Sequence, residues 1–129
     1  MTDGKKILIV DDDKFLVDMY SLKLKNAGFD VQACLSVADA LDALRKGFTP
    51  DAVLFDLVMP ETDGFAFVEA MRDGNFATKA VKIALTNQSN DSEIQKASEL
   101  GVDRYIVKAS MIPSEVVAAV GEEIAKRGS

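Results

Sequence analysis

Histidine is absent from this 129-residue sequence and cysteine occurs once. Together these absences remove Cys/His zinc sets and cysteine–histidine nucleophile pairs from consideration. Cys34 cannot close an internal disulfide, and its place in the apolar segment from Val31 to Leu35 suits a small core residue. Long apolar runs are missing too. Ile7-Leu8-Ile9-Val10 is among the longest, far too short to span a bilayer, and no basic-then-apolar leader opens the chain. The expectation is a soluble cytoplasmic protein. Positive charge is neither abundant nor clustered: the net charge is −6, and the basic footprint of a nucleic-acid-binding domain is not found. What is present is 48% apolar residue content, enough for one well-buried core across residues 1–129.

The apolar residues fall in a regular beat. Lys6 to Val10 is a continuous apolar run that stops at three aspartates, as a strand buried on both faces of a parallel sheet does. Asp13 then caps a helix in which Phe15, Met19 and Leu22 recur at helical spacing beside Leu16 and Tyr20, and Gly28 offers a left-handed stop. Asp30 to Cys34 is the second strand. Ser36 with Asp39 opens a helix carrying Val37, Leu41 and Leu44, closed by Gly47, and Ala52 to Phe55 is the third strand. A helix with Phe65, Val68 and Met71 follows, then a strand from Val81 to Leu85. Asn90 and Glu93 open a helix with Ile94, Ala97 and Leu100 that ends at Gly101. Arg104 to Val107 is the fifth strand, and Pro113 suits the first turn of a last helix with Val116, Val117, Val120 and Ile124 on one face. Five strands alternating with five helices predict an α/β domain with a doubly wound parallel sheet.

In such sheets ligands bind beyond the carboxyl ends of the strands, where the winding changes direction. The residues at those ends are Asp11 and Asp12 after the first strand, Asp56 after the third, Thr86 after the fourth and Lys108 after the fifth. Each alone has a plainer explanation as a cap, a turn former or a solvated end. Their joint occurrence at four strand ends points to a site. Two unit charges about 4 Å apart repel by roughly 4 kcal/mol at a surface-like dielectric, so converging carboxylates call for a cation. Magnesium suits: it takes oxygen ligands, needs few carboxylates and keeps exchangeable waters, whereas calcium asks for more protein ligands than this set supplies. An ionised Asp56 beside a divalent cation is a nucleophile toward phosphorus, with Lys108 adding a fixed positive charge. The product is an aspartyl phosphate. Thr86 would donate its hydroxyl to a phosphoryl oxygen and draw its loop inward, and Tyr105 would swing between exposed and buried positions as the loop moves.

At this point the sequence resembles bacterial two-component response-regulator receiver domains. The resemblance rests on Asp11-Asp12, Asp56-Leu57-Val58-Met59-Pro60 with Asp63-Gly64, Thr86, Tyr105 and Lys108, and covers the whole chain. It implies a flavodoxin-like sheet of strand order 2-1-3-4-5, with Asp56 as phosphoacceptor. It also implies magnesium bound directly by Asp12, Asp56 and the Val58 backbone carbonyl, with Asp11 acting through water. The implied donor is a phosphohistidine on a sensor histidine kinase or a histidine phosphotransfer protein. The implied output is a stand-alone receiver docking a downstream protein effector through its helix-four, strand-five, helix-five face, with no direct nucleic-acid or membrane contact and no independent substrate turnover. The sequence departs from the family pattern in three places. Ala109 follows Lys108 where the family usually has proline, so a trans bond and a shifted loop are expected, because a cis bond before a non-proline residue costs roughly 2.5–4 kcal/mol. Asn87 is larger than the usual residue beside the threonine. Val58 and Gln88 stand at positions resembling those that tune self-dephosphorylation in the family. A haloacid-dehalogenase-like phosphatase would need a longer chain, and a flavin-binding protein would need a first loop that cradles phosphate rather than repelling it. The remaining alternative is a pseudo-receiver that only binds a partner.

Overall fold

The structure is a computed structural model that describes residues 4–59, 63–87 and 90–128. Its elements run β1 (Lys6–Val10), α1 (Lys14–Asn26), β2 (Asp30–Cys34), α2 (Val37–Arg45), β3 (Ala52–Asp56), α3 (Gly64–Asp73), β4 (Val81–Thr86), α4 (Asp91–Glu99), β5 (Arg104–Val107) and α5 (Pro113–Gly128). The strands form one parallel sheet in the order β2-β1-β3-β4-β5. The expected class and strand order are both found. Two strands run one residue further than read from the sequence, because Asp56 and Thr86 still pair in register, with Leu85 and Val107 respectively.

Alternate residues of the central strands feed two cores. Leu8, Val10, Val53 and Phe55 pack with α2 and α3 on one face, while Ile7, Ile9, Leu54, Ile83 and Leu85 pack with α1 and α5 on the other. This explains the uninterrupted apolar runs: β1 and β3 have no solvent face. On the first face Phe55 and Phe67 meet edge to face at 5.9 Å between ring centroids. Cys34 is buried in the same core, where burial first and Asp39 second push its thiol up to about 11.

Side-chain caps start three helices where the sequence indicates: Asp13 accepts from the Phe15 and Leu16 N–H groups, Ser36 from Asp39 and Asn90 from Glu93. Asp63, not read as a cap from the sequence, accepts from Ala66. Gly28 and Gly47 follow α1 and α2 with φ of +99° and +105°, the left-handed geometry that lets the chain leave a helix without a Cβ clash.

The inward face of α1 differs from the one read from spacing. Val17, Tyr20 and Leu24 are buried, whereas Phe15 and Leu22 are 76% and 60% exposed. The cause is competition between two apolar stripes, which only the direction of the sheet resolves: Val17, Tyr20 and Leu24 follow each other at steps of three and four and face the sheet and α5. Ile94 of α4 is likewise on the outside, and Ala97 is the buried residue of that helix. These placements fix contrasting costs. Phe67→Ala should destabilise by about 3–5 kcal/mol, while Phe15→Ala should stay within about 0.5 kcal/mol. Urea unfolding of both variants checks this, and a large cost at Phe15 would show that α1 is rotated from its position here.

Candidate functional site

The sheet reverses its winding between β1 and β3, since the chain leaves β1 for β2 on one side and reaches β3 on the other. The crevice beyond their carboxyl ends is where the acidic residues lie. Of the three consecutive aspartates after β1, Asp13 is committed to capping α1 at 3.0 Å from the Phe15 N–H. That leaves Asp11 and Asp12 for the crevice. Asp11 is fully buried and is held by the Asp13 N–H at 3.0 Å, whereas Asp12 is exposed. Asp56, the last residue of β3, is 4% exposed and accepts from the Val58 N–H at 3.3 Å. Carboxylate oxygens of Asp11, Asp12 and Asp56 lie within 4.8 Å of one another.

Among the described residues, Lys108 is the cation that faces this group. Just past β5, it sets its Nζ 2.8 Å from Asp11 Oδ2 and 3.6 Å from Asp56 Oδ2. Burial works against the charge on Lys108, but the hydrogen bond and attraction of Asp11, with the attraction of Asp56, outweigh it and hold the ammonium above its usual range. For Asp56 the balance is opposite. Burial pushes its carboxyl up, Asp11 and Asp12 add to the push, and Lys108 with the Val58 N–H only partly offsets it. The protein alone therefore does not fully compensate the charge it gathers, and a further cation among these oxygens would relieve it.

Thr86 ends β4 and is 2% exposed, and Tyr105 stands on β5 beside it, where Ala84 pairs with Tyr105 and Thr86 with Val107. The Tyr105 hydroxyl donates to Glu93 Oε1 at 3.0 Å, and the Thr86 side chain is near enough to act on it. Burial, then the Glu93 carboxylate acting against Thr86, raises the phenol above its ordinary range. Glu93 was read from the sequence only as a helix opener. Its bond to Tyr105 joins residues twelve apart on different elements, and no local pattern signals it. A second tether of α4 also escaped the sequence: Lys96 Nζ lies 4.6 Å above the Phe65 ring of α3.

After β5 the chain makes a short 3-10 turn, Lys108–Ser110, with no cis bond among the described residues, in line with the expectation for Ala109. Asn87 is exposed. Pro60 and Gln88 lie outside the described residues. Thus Asp11, Asp12, Asp56 and Lys108 converge, while Thr86 and Tyr105 form an adjoining pair.

The family model for the response regulator receiver domain matches residues 7–120. The chain belongs to this family. Among curated proteins, this receiver domain is similar to the DNA-binding response regulator MtrA of Mycobacterium tuberculosis, 34% identical over 120 residues, 92% of this chain and 50% of that protein. The chain thus spans about half the length of the curated relatives it matches. Among solved structures it is similar to the chemotaxis protein CheY4 of Vibrio cholerae, with a TM-score of 0.85, 26% identity and coverage of 92% and 98% of the two chains. A CheY-like receiver domain protein from Methanospirillum hungatei shares the fold, with a TM-score of 0.87 at 24% identity over 98% of each chain. No described helix of this receiver domain is long and apolar enough to cross a membrane.

The electrostatics of Asp56 predict a stability effect in the absence of metal. A carboxyl whose folded pKa lies above its unfolded value binds its proton more tightly when folded. Its ionisation therefore weakens the fold progressively as pH rises through the folded pKa. Asp56→Asn should raise the thermal midpoint by a few degrees at pH 7 in the presence of a chelator, and the gain should vanish in acid, below the carboxylate range. A variant less stable than wild type at pH 7 would mean that Lys108 overcompensates the charge.

Proposed function

We propose that this receiver domain, comprising residues 1–129, accepts a phosphoryl group on Asp56 in the presence of magnesium and passes the event to a protein partner. The observation that carries this reading is the set of three carboxylates with oxygens within 4.8 Å at the sheet's switch point, met by the ammonium of Lys108. The donors are hard oxygens, two of the three carboxylates are buried, and Asp56 is under-compensated, which together suit a small divalent cation. Asp12, Asp56 and the Val58 carbonyl would hold it directly and Asp11 through water. When bound, magnesium supplies positive charge to the equatorial phosphoryl oxygens.

The chain's own residues do the rest. A carboxylate oxygen of Asp56 attacks phosphorus, the new O–P bond forms as the P–N bond of a phosphohistidine breaks, and the imidazole leaves with its electron pair. On this reading the donor is a sensor histidine kinase or a histidine phosphotransfer protein, consistent with a sequence that has no histidine of its own. Lys108 holds a positive charge against the transferred group from a fixed position between Asp11 and Asp56. The Thr86 hydroxyl, at the end of the neighbouring strand, donates to a phosphoryl oxygen and in doing so alters its contact with Tyr105. The consequence is read on the α4, β5 and α5 face by a downstream protein effector. On this reading the domain works in the cytoplasm, has no independent turnover, and itself makes no direct contact with nucleic acid, in keeping with its net charge of −6.

Intact-protein mass after incubation with acetyl phosphate tests the chemistry. Wild type should gain one phosphoryl group in magnesium and none in chelator, and Asp56→Asn should gain none in either. No gain by wild type, with magnesium binding demonstrated and a histidine kinase also failing as donor, would replace this reading with the partner-only pseudo-receiver. Lys108→Ala should still take up some phosphate but lose phosphorylation-dependent partner binding, and unchanged coupling would remove Lys108 from the mechanism.

A further inference from the structure

Glycine is a poor choice for the first residue of a helix on propensity alone, yet Gly64 begins α3 and is buried. Space supplies the reason. A Cβ on Gly64 would lie 2.6 Å from the Asp56 carbonyl oxygen and 2.8 Å from the Leu57 Cα, both backbone atoms that cannot rotate aside, and 3.1 Å from Leu57 Cδ2. The Gly64 N–H also donates to the Leu57 carbonyl at 2.9 Å. On the other side, the Leu57 N–H donates to the Leu85 carbonyl at 3.0 Å. The backbone leaving Asp56 is thus clasped between β4 and the first residue of α3, and the next peptide is that of Val58, whose N–H bonds Asp56 Oδ1.

We infer that Gly64 is a positioning residue for the phosphoacceptor turn. By letting the start of α3 close onto the backbone of Asp56 and Leu57, it fixes the placement of the Asp56 carboxylate and the Val58 carbonyl together. This inference rests on the metal-assisted phosphoacceptor reading given above. Magnesium demands near-ideal octahedral geometry, so a displacement of a few tenths of an ångström in one carbonyl and one carboxylate acts on the site without touching a ligand's identity. Any side chain at position 64 must push that turn away or lift α3 from it.

Gly74 provides the control, because it ends the same helix far from the site. A Cβ there would also meet an obstacle, at 2.5 Å, but the obstacle is the ring of Phe76. Gly64→Ala and Gly74→Ala should therefore both disturb α3, and only the first should disturb Asp56. Two measurements separate them: magnesium affinity by titration calorimetry, and the backbone amide shifts of Leu57 and Val58 in metal-free protein. Gly64→Ala should weaken magnesium binding by about tenfold and shift both amides, with Gly74→Ala within about twofold of wild type, the scale expected when supports of metal ligands are altered. Equal effects of the two variants, or unchanged affinity and amide shifts in Gly64→Ala, would overturn the inference. If Gly64→Ala does not fold in buffer, the comparison is made in concentrated sucrose, which favours the compact state. Failure to fold even there would also overturn it, since the glycine would then serve the fold and not the site. A wild type that binds no magnesium would instead bring down the underlying reading, and this inference with it, whatever the variants do.

Discussion

Two carboxylates, Asp11 and Asp56, are buried beside one another with Lys108 between them. Unpaired charges in such a place would neutralise or unfold the site, so the geometry around them has to be exact in sign as well as in position. The fold meets this by bringing the three residues from three parallel strands, each rigid up to its last residue. Val10 pairs with Phe55, Asp56 with Leu85 and Thr86 with Val107, so the side chains beyond these pairs are set by strand register and not by loop conformation. Lys108 is 97 residues from Asp11 in the chain, yet their ion pair is short because β5 ends level with β4 and β4 with β3.

The two cores follow from the same requirement. A site made at strand ends is only as fixed as the strands, and β1, β3 and most of β4 are buried on both faces. Burying them takes helices on each side, which the doubly wound connection provides. At the opposite end of the sheet aspartates do another kind of work: Asp51 accepts from the Lys6 N–H and Asp103 from the Lys82 N–H, each at 2.8 Å, closing the starts of β1 and β4. Asp51 and Asp103 thus close strand starts, Asp103 also pairing with Arg127 at 3.2 Å, whereas Asp11 and Asp56 at strand ends share Lys108.

How much of this was legible in the sequence depended on whether the signal was local. The strands and caps were, because runs such as Lys6 to Val10 and pairs such as Ser36 with Asp39 carry their own geometry. The convergence of Asp11, Asp12, Asp56 and Lys108 was legible too, once strand ends were taken as the place to look. The inward face of α1 was not. Two apolar stripes run along that helix, and only the position of β1 and α5 selects Val17, Tyr20 and Leu24 over Phe15 and Leu22. The bond from Tyr105 to Glu93 and the contact of Lys96 with Phe65 depend on how α4 lies across α3 and β5, which no spacing within α4 records.

That last helix has a different character from the others. α4 buries one residue, Ala97, where α3 buries five, so apolar packing contributes little to its position. Its first turn is bonded to β5 through Glu93 and Tyr105, and Thr86 stands on the neighbouring strand. Net hydrogen bonds are worth about 0.5–1.5 kcal/mol, comparable with the stability differences between local conformations that ligands select. A helix with one buried residue, bonded to β5 through Glu93 and Tyr105, has less apolar packing to hold it in place than α1 or α3 with their larger buried faces. The contrast is physical: the strands that carry charge are locked by burial, while α4 is held largely by polar contacts.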